Sequence, residues 1–165
     1  MAVAALLSPE ELENSRVAHE LIRLRLRVPI IHYLTNIHSK PLRLRWRKIH
    51  NESPPNGKLP DSVRSFIDGA MSVANLSSFV ALYNRLDDGD EKPVTAAMLL
   101  RSWEMHCRVG NKNLDINAAW YAIRDVRGRI VGWQRCSRCQ TEFIYEPNEF
   151  HARSCPFCTL AKTRS

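Results

Sequence analysis

The sequence predicts a mainly α-helical protein: a helical body with an N-terminal helix-turn-helix-like segment and a small C-terminal four-cysteine zinc-binding hairpin module. Three observations carry this. Apolar residues recur at helical spacing through most of residues 8–126, punctuated by proline and Ser/Asp start signals. A basic amphipathic stretch, Lys40 to His50, follows a tight turn. Cys136-Ser-Arg-Cys139 and Cys155-Pro-Phe-Cys158 are two C-x2-C knuckles separated by fifteen residues, inside the window read as a zinc site.

The helices can be placed one by one. Ser8-Pro9-Glu10-Glu11 opens the first: Ser8 caps, Pro9 suits the first helical position and Glu11 closes a capping box. Val17, Leu21 and Leu24 then repeat at helical spacing. Pro29 starts a short second helix with Ile30, Ile31, Tyr33 and Leu34, and residues 35–39 form a turn. Ser39 is expected to cap the third helix, with Pro41 in its first turn. Leu42, Trp46 and Ile49 fall on one face of it; Arg43, Arg47 and His50 repeat one step round, with Lys40, Arg45 and Lys48 extending the basic side. A short helix, a turn and a basic helix match a helix-turn-helix, whose second helix enters a major groove. The strict alternation from Leu42 to Arg47 also fits a strand, and basic amphipathic helices also serve membranes and protein partners.

Residues 52–60, with Pro54-Pro55 and Asn56-Gly57, form a turn-rich linker. Asp61 is expected to cap a long helix through Phe66, Ile67 and Ala74 that restarts near residues 75–77 and continues to Leu86. Residues 87–93 read as an exposed acidic connector. A further helix carries Met98, Leu99, Leu100 and Trp103 and is expected to end at Gly110. Asp115 caps a last helix with Ile116, Ala119, Trp120 and Ile123 inward, closed by Arg127-Gly128. Residues 129–134 and 141–145 read as the two strands of a zinc-ribbon hairpin.

Four thiolates satisfy tetrahedral zinc and leave no open position, so this pattern is structural rather than catalytic. The expected cofactor is one zinc ion per chain, held by Cys136, Cys139, Cys155 and Cys158, with Arg135 and Arg138 offsetting part of the thiolate charge. Two disulfides are the alternative for a secreted chain. Rubredoxin-like iron uses the same ligands, although Gln140 and Thr159 stand where such sites favour glycine. Cys107 reads as a packed small hydrophobe, and the six histidines match no metal pattern of their own.

A chain of 165 residues, 44% hydrophobic and 25% charged, makes one domain or one domain plus a small metal module. The net charge of +7 is uneven. Residues 1–60 hold ten Lys/Arg against five Asp/Glu, residues 61–126 seven against nine, and residues 127–165 seven against three. These spans read as a basic helical segment with its proline-rich linker, a helical partner-binding body, and the metal module. The basic ends suit a polyanion. Candidate DNA-binding residues are Lys40, Arg43, Arg45, Arg47, Lys48, Arg135 and Arg138. No Gly-rich phosphate loop and no paired carboxylates are present, and Cys107 and His106, neighbours in sequence, point apart on a helix, so an enzyme is not expected. The first residues lack the basic n-region of a signal peptide and no apolar run reaches membrane-span length, so a cytoplasmic location without a membrane partner is expected.

The stretch Ser53-Pro-Pro-Asn-Gly-Lys-Leu-Pro60 resembles the Pro-Pro-x-Gly-x-Leu-Pro linker of the FlhC family, the zinc-binding subunits of the bacterial flagellar master transcriptional activator. The basic segment from Arg27 to His50 precedes it and the four cysteines follow in the family's order, so the resemblance spans residues 12–158. It implies a heterohexamer of four FlhD and two FlhC subunits that binds double-stranded promoter DNA upstream of flagellar operons and recruits RNA polymerase. It also implies that Cys136, Cys139, Cys155 and Cys158 hold the zinc. The rival from another class is a zinc-containing adaptor or anti-activator that captures an FlhD-like partner without touching DNA.

Overall fold

The computed structural model describes residues 8–87, 93–109 and 113–163. Among them the chain is mainly helical, with seven α-helices and one two-stranded hairpin. It divides into two compact units: the described residues up to Gly57 together with Thr95–Leu100, and Lys58 to Val94 together with Arg101 onward.

The first unit contains α1 (Pro9–Arg23), α2 (Val28–Thr35) and α3 (Ser39–His50). Ser8 caps α1 and Glu11 reaches back to the Ser8 N–H at 2.7 Å, completing the expected capping box. The helix closes with two reversed bonds: Leu26 N–H to Leu21 O and Arg25 N–H to Ile22 O, with Arg25 in the left-handed region. That geometry ends a helix cleanly and turns Leu26 into the core, where it is fully buried. α2 starts on Val28-Pro29, and Asn36 in the left-handed region stops it. α3 is helical, which resolves the alternation of Leu42 to Arg47. Leu42 and Trp46 are buried while Leu44 is 55% exposed, and a strand would put all three on one face. Ser39 does not cap α3: it is the first helical residue, His38 occupies the cap position, and no side chain accepts from the first turn. The proline-rich segment folds back on this unit. Pro54 is buried, Arg27 Nη2 donates to Gly57 O at 3.0 Å, and Gly57 takes a φ of +113°.

In the second unit the expected helix from Asp61 is replaced by a 3-10 turn, Val63–Phe66, capped by Ser62. Asp61 is exposed and pairs with Lys58 at 3.0 Å. The cause lies far along the chain. The fully buried Asp125 carboxylate accepts from Val63 N–H at 2.6 Å, the donor that an Asp61 cap would have bound, and Ile67 is extended. α4 (Ala70–Leu86) starts at Gly69 and runs unbroken through residues 75–77, without the expected restart. α5 (Ala96–Val109) follows; Gly110 and residues 88–92 of the acidic connector lie outside the described residues. Asp87 pairs with Arg127 at 2.5 Å. α6 (Ile116–Arg127) is capped by Asp115 as expected and is buried nearly all round.

β1 (Gly132–Arg135) and β2 (Glu142–Tyr145) pair antiparallel, with Trp133 opposite Ile144. β1 is shorter than the predicted 129–134 because Arg129 is in the left-handed region and residues 129–131 bond back to the end of α6. The hairpin is mounted on α4: Ile144 N–H donates to the fully buried Ser77 Oγ at 3.0 Å. A seventh helix, α7 (Pro156–Lys162), was not predicted. It begins inside the second knuckle, with Cys155 at its cap and Pro156 at its first position.

Candidate metal centre and nucleic-acid interface

The first knuckle grows out of β1. Cys136 N–H donates to Thr141 O and Gln140 N–H donates to Cys136 O, each at 2.9 Å, so the strand ends fold into a tight turn. Gln140 sits in the left-handed region, the conformation that makes glycine common at this place, and its amide Nε2 secures the turn on Ser137 O. Arg135 Nε donates to Gln140 O from the other side at 2.9 Å. The second knuckle is the start of α7, where Thr159 N–H bonds to Cys155 O at 3.2 Å.

Together these bring the four predicted sulfurs into one cluster, all within 4.8 Å of one another. The nearest pairs cross between knuckles: Cys139 to Cys155 at 3.6 Å and Cys136 to Cys158 at 3.8 Å. A disulfide needs about 2.05 Å. A tetrahedral thiolate site with metal–sulfur bonds of about 2.3 Å has sulfur–sulfur edges of about 3.8 Å. The cluster fits a single metal ion with all four positions taken by protein. Cys136 and Cys155 are buried against Phe143, with Tyr145 and Phe157 packed alongside, so half of the ligand set is walled by hydrocarbon.

The thiols are not equivalent. The Thr141 hydroxyl and N–H both favour the Cys139 thiolate and bring it down to about 6. The Cys139 and Arg138 N–H groups lower Cys136. Burial pushes Cys155 up to about 12 and also raises Cys158. The sequence marks Thr141 only as the start of the second strand; a hydroxyl residue two places beyond a metal cysteine is the signal for its role at the thiolate.

The basic candidates are all on the surface. Lys40, Arg43, Arg45, Arg47 and Lys48 are exposed along α3, and Arg43 Nη1 donates to Asn56 Oδ1 at 3.3 Å. Leu42 and Trp46 hold the opposite face. His50, predicted on the same basic side, instead turns its Nε2 to Ile22 O at 2.8 Å and packs against Trp46. Arg135 and Arg138 are exposed on the first knuckle. Cys107 is half-buried, and His106 is buried against Phe79 and Trp103. Trp46, Trp103 and Trp120 are core, and Trp133 is half-buried on the hairpin. No helix among the described residues is long and apolar enough to cross a membrane.

The family profile described as "Flagellar transcriptional activator (FlhC)" matches residues 5–165. The chain is 26% identical over 156 residues to the flagellar transcriptional regulator FlhC of Gallionella capsiferriformans, covering 92% of this chain and 84% of that one. It is 26% identical over 157 residues to FlhC of Thauera aminoaromatica, covering 92% and 80%. FlhC of Sodalis glossinidius is 26% identical over 156 residues, covering 90% and 79%. With a profile match over nearly its whole length, the chain belongs to the FlhC family of flagellar transcriptional regulators and not to a family of enzymes.

Proposed function

We propose that the chain is the zinc-bearing subunit of a promoter-binding complex: it assembles with FlhD, contacts double-stranded promoter DNA of flagellar operons and activates them through RNA polymerase in the cytoplasm. The observation that carries this reading is the row of five exposed cations on α3, in a chain of this family. Phosphates are neutralised by such a row, and the side chains nearest a groove read base edges. Arg43 and Arg47 are the residues assigned to base edges or adjacent phosphates, while Lys40, Arg45, Lys48, Arg135 and Arg138 supply further phosphate contacts.

The metal is assigned as one zinc ion per chain, since four thiolates at tetrahedral spacing suit it and need no redox chemistry. Its role is to staple a hairpin and a short helix that are too small to hold themselves. The span 61–126 is assigned to the FlhD interface, and the expected assembly is four FlhD with two FlhC subunits. Two copies then present two DNA surfaces to a long, roughly symmetric operator.

The test is titration of a flagellar promoter fragment of about 50 base pairs, several turns of duplex, with zinc-loaded protein, with and without FlhD, at two salt concentrations. Tight, FlhD-dependent and salt-sensitive binding is expected. A stable FlhD complex that ignores the promoter would move the reading to the adaptor.

A further inference from the structure

α4 carries a stripe that runs its whole length on the side of the metal module. Met71 and Ala74 face Phe157, Leu160 and Ala161 of α7 across an open apolar cleft of ≈ 340 Å3. Further along, Leu82 and Arg85 face Arg135, Glu142 and Phe157 across a second cleft of ≈ 430 Å3. A third of ≈ 430 Å3 lies between Arg138, Thr141, Phe157 and Lys162. Phe157 lines all three, so the clefts adjoin along α4 and α7 and meet at its phenyl ring.

Length, floor and rim together define an occupant. Met71 to Arg85 spans fourteen residue steps of helix, about 21 Å. That accommodates about four turns of a second helix. The floor is apolar at the Met71 end, between Ala74, Phe157 and Leu160, and turns polar toward Arg85, where Ser78 and Thr141 line it; Met71 is 48% exposed. The charged rim holds Arg85, Arg135, Arg138 and Lys162, all exposed, against the single carboxylate of Glu142. We infer that this groove is a docking site for an acidic amphipathic helix of a protein partner, seated by apolar anchors at i, i+3, i+4 and i+7 and held at its edges by the four cations. A duplex would meet the rim alone and leave the Met71–Phe157–Leu160 floor wet, so a peptide helix fits better than DNA.

The groove also depends on the metal. Phe157 lies between two of the ligand cysteines, and its ring packs against the Cys136–Phe143–Cys155 cluster. Losing the ion frees α7 and with it one wall, so partner capture and metal occupancy are coupled.

The experiment uses the full zinc-loaded chain and no DNA, so that its failure is read separately from failure of the promoter reading. The probe is a fluorescent helical peptide with leucine at i, i+3, i+4 and i+7 and glutamate on its remaining faces, followed by anisotropy. Saturable binding is expected, at least ten-fold weaker for Met71→Glu and for Arg85→Glu, and lost when a chelator removes the metal. Met71 and Arg85 are exposed, so these variants fold; thermal unfolding checks it. Binding that ignores Met71→Glu, or a lysine-for-glutamate peptide that binds equally well, overturns the inference.

Discussion

Arg64 Nε donates to Glu146 Oε2 at 2.9 Å, joining residues 82 apart in sequence. Through it the 3-10 turn after the proline-rich segment grips the end of β2. Arg64 Nη2 reaches the same oxygen and also Ile130 O, while Asn148 N–H holds the other carboxylate oxygen at 3.2 Å. The Arg64 side chain is 46% exposed and that of Glu146 only 4%, so the two ends of the pair are unequal. Arg64→Ala strands a buried carboxylate and should cost about 2 kcal/mol, less than a fully buried pair because water already reaches the guanidinium. Glu146→Gln keeps an acceptor for Arg64 and should cost less. Urea unfolding of both variants ranks them; equal losses would mean that the pair is not what holds this corner.

The same pair has a pH signature. Burial pushes the Glu146 carboxyl up, but Arg64 and the Asn148 N–H outweigh it and hold it below its ordinary 4.5. A folded-state pKa below the unfolded one adds stability above 4.5 that disappears as pH falls through the folded value. Arg64→Ala leaves burial opposed by less, so its acid unfolding midpoint should move to higher pH than that of the parent chain.

How much of this was legible depended on whether the controlling contact was local. The Ser8–Glu11 capping box, the knuckles and the helices of the first unit rest on residues a few places apart, and the sequence shows them. The 3-10 turn at Val63–Phe66 is tied to Asp125, 62 residues away, and periodicity through Phe66 and Ile67 pointed to a helix instead. The 3-10 turn and Arg64 mark the same limit: nothing near Arg64 announces Glu146. α7 was locally readable, since proline at a first helical position after a capping residue is a start signal. The Cys155-Pro156-Phe157-Cys158 pattern was read only for its metal chemistry.

α3 offers a direct test of helix against strand. Trp46 is fully buried and Leu42 nearly so, whereas Leu44 is exposed. Trp46→Ala should cost about 3–5 kcal/mol, and Leu44→Ala should be within about 0.5 kcal/mol of neutral. A strand register would make Leu44 as sensitive as Leu42. Thermal denaturation of the two alanine variants separates the cases.

On the exposed face of the same helix, Arg43→Ala combined with Arg47→Ala should leave the unfolding midpoint nearly unchanged, since both side chains are exposed. Promoter affinity should fall, and the slope of log K against log salt should flatten by about 2, one ion-release step for each lost phosphate contact. Anisotropy titrations at a series of salt concentrations give the slope. An unchanged slope would take α3 off the DNA.

The metal centre predicts how binding responds to acid. Only the thiolate is a ligand, and the unmetallated thiols divide into two classes. Cys139, at about 6, and Cys136, also lowered, ionise more readily than an ordinary thiol. Cys155, pushed to about 12, and Cys158, raised above 9.0, keep their protons at neutral pH until an ion displaces them. Near pH 7.5 each zinc bound should therefore release at least two protons, which an indicator dye in weak buffer can count. Zinc affinity should in turn fall at least a hundred-fold for each pH unit lost in this range, and more steeply below pH 6 as Cys139 takes up its own proton. Cys136→Ser should lose the metal and the folded hairpin with it. Thr141→Val removes the hydroxyl that favours the Cys139 thiolate while keeping the strand, so its zinc affinity should begin the steeper fall at a higher pH than in the parent chain. Full zinc retention in Cys136→Ser would sink the four-cysteine assignment, whereas an unmoved Thr141→Val profile would only take the hydroxyl out of it.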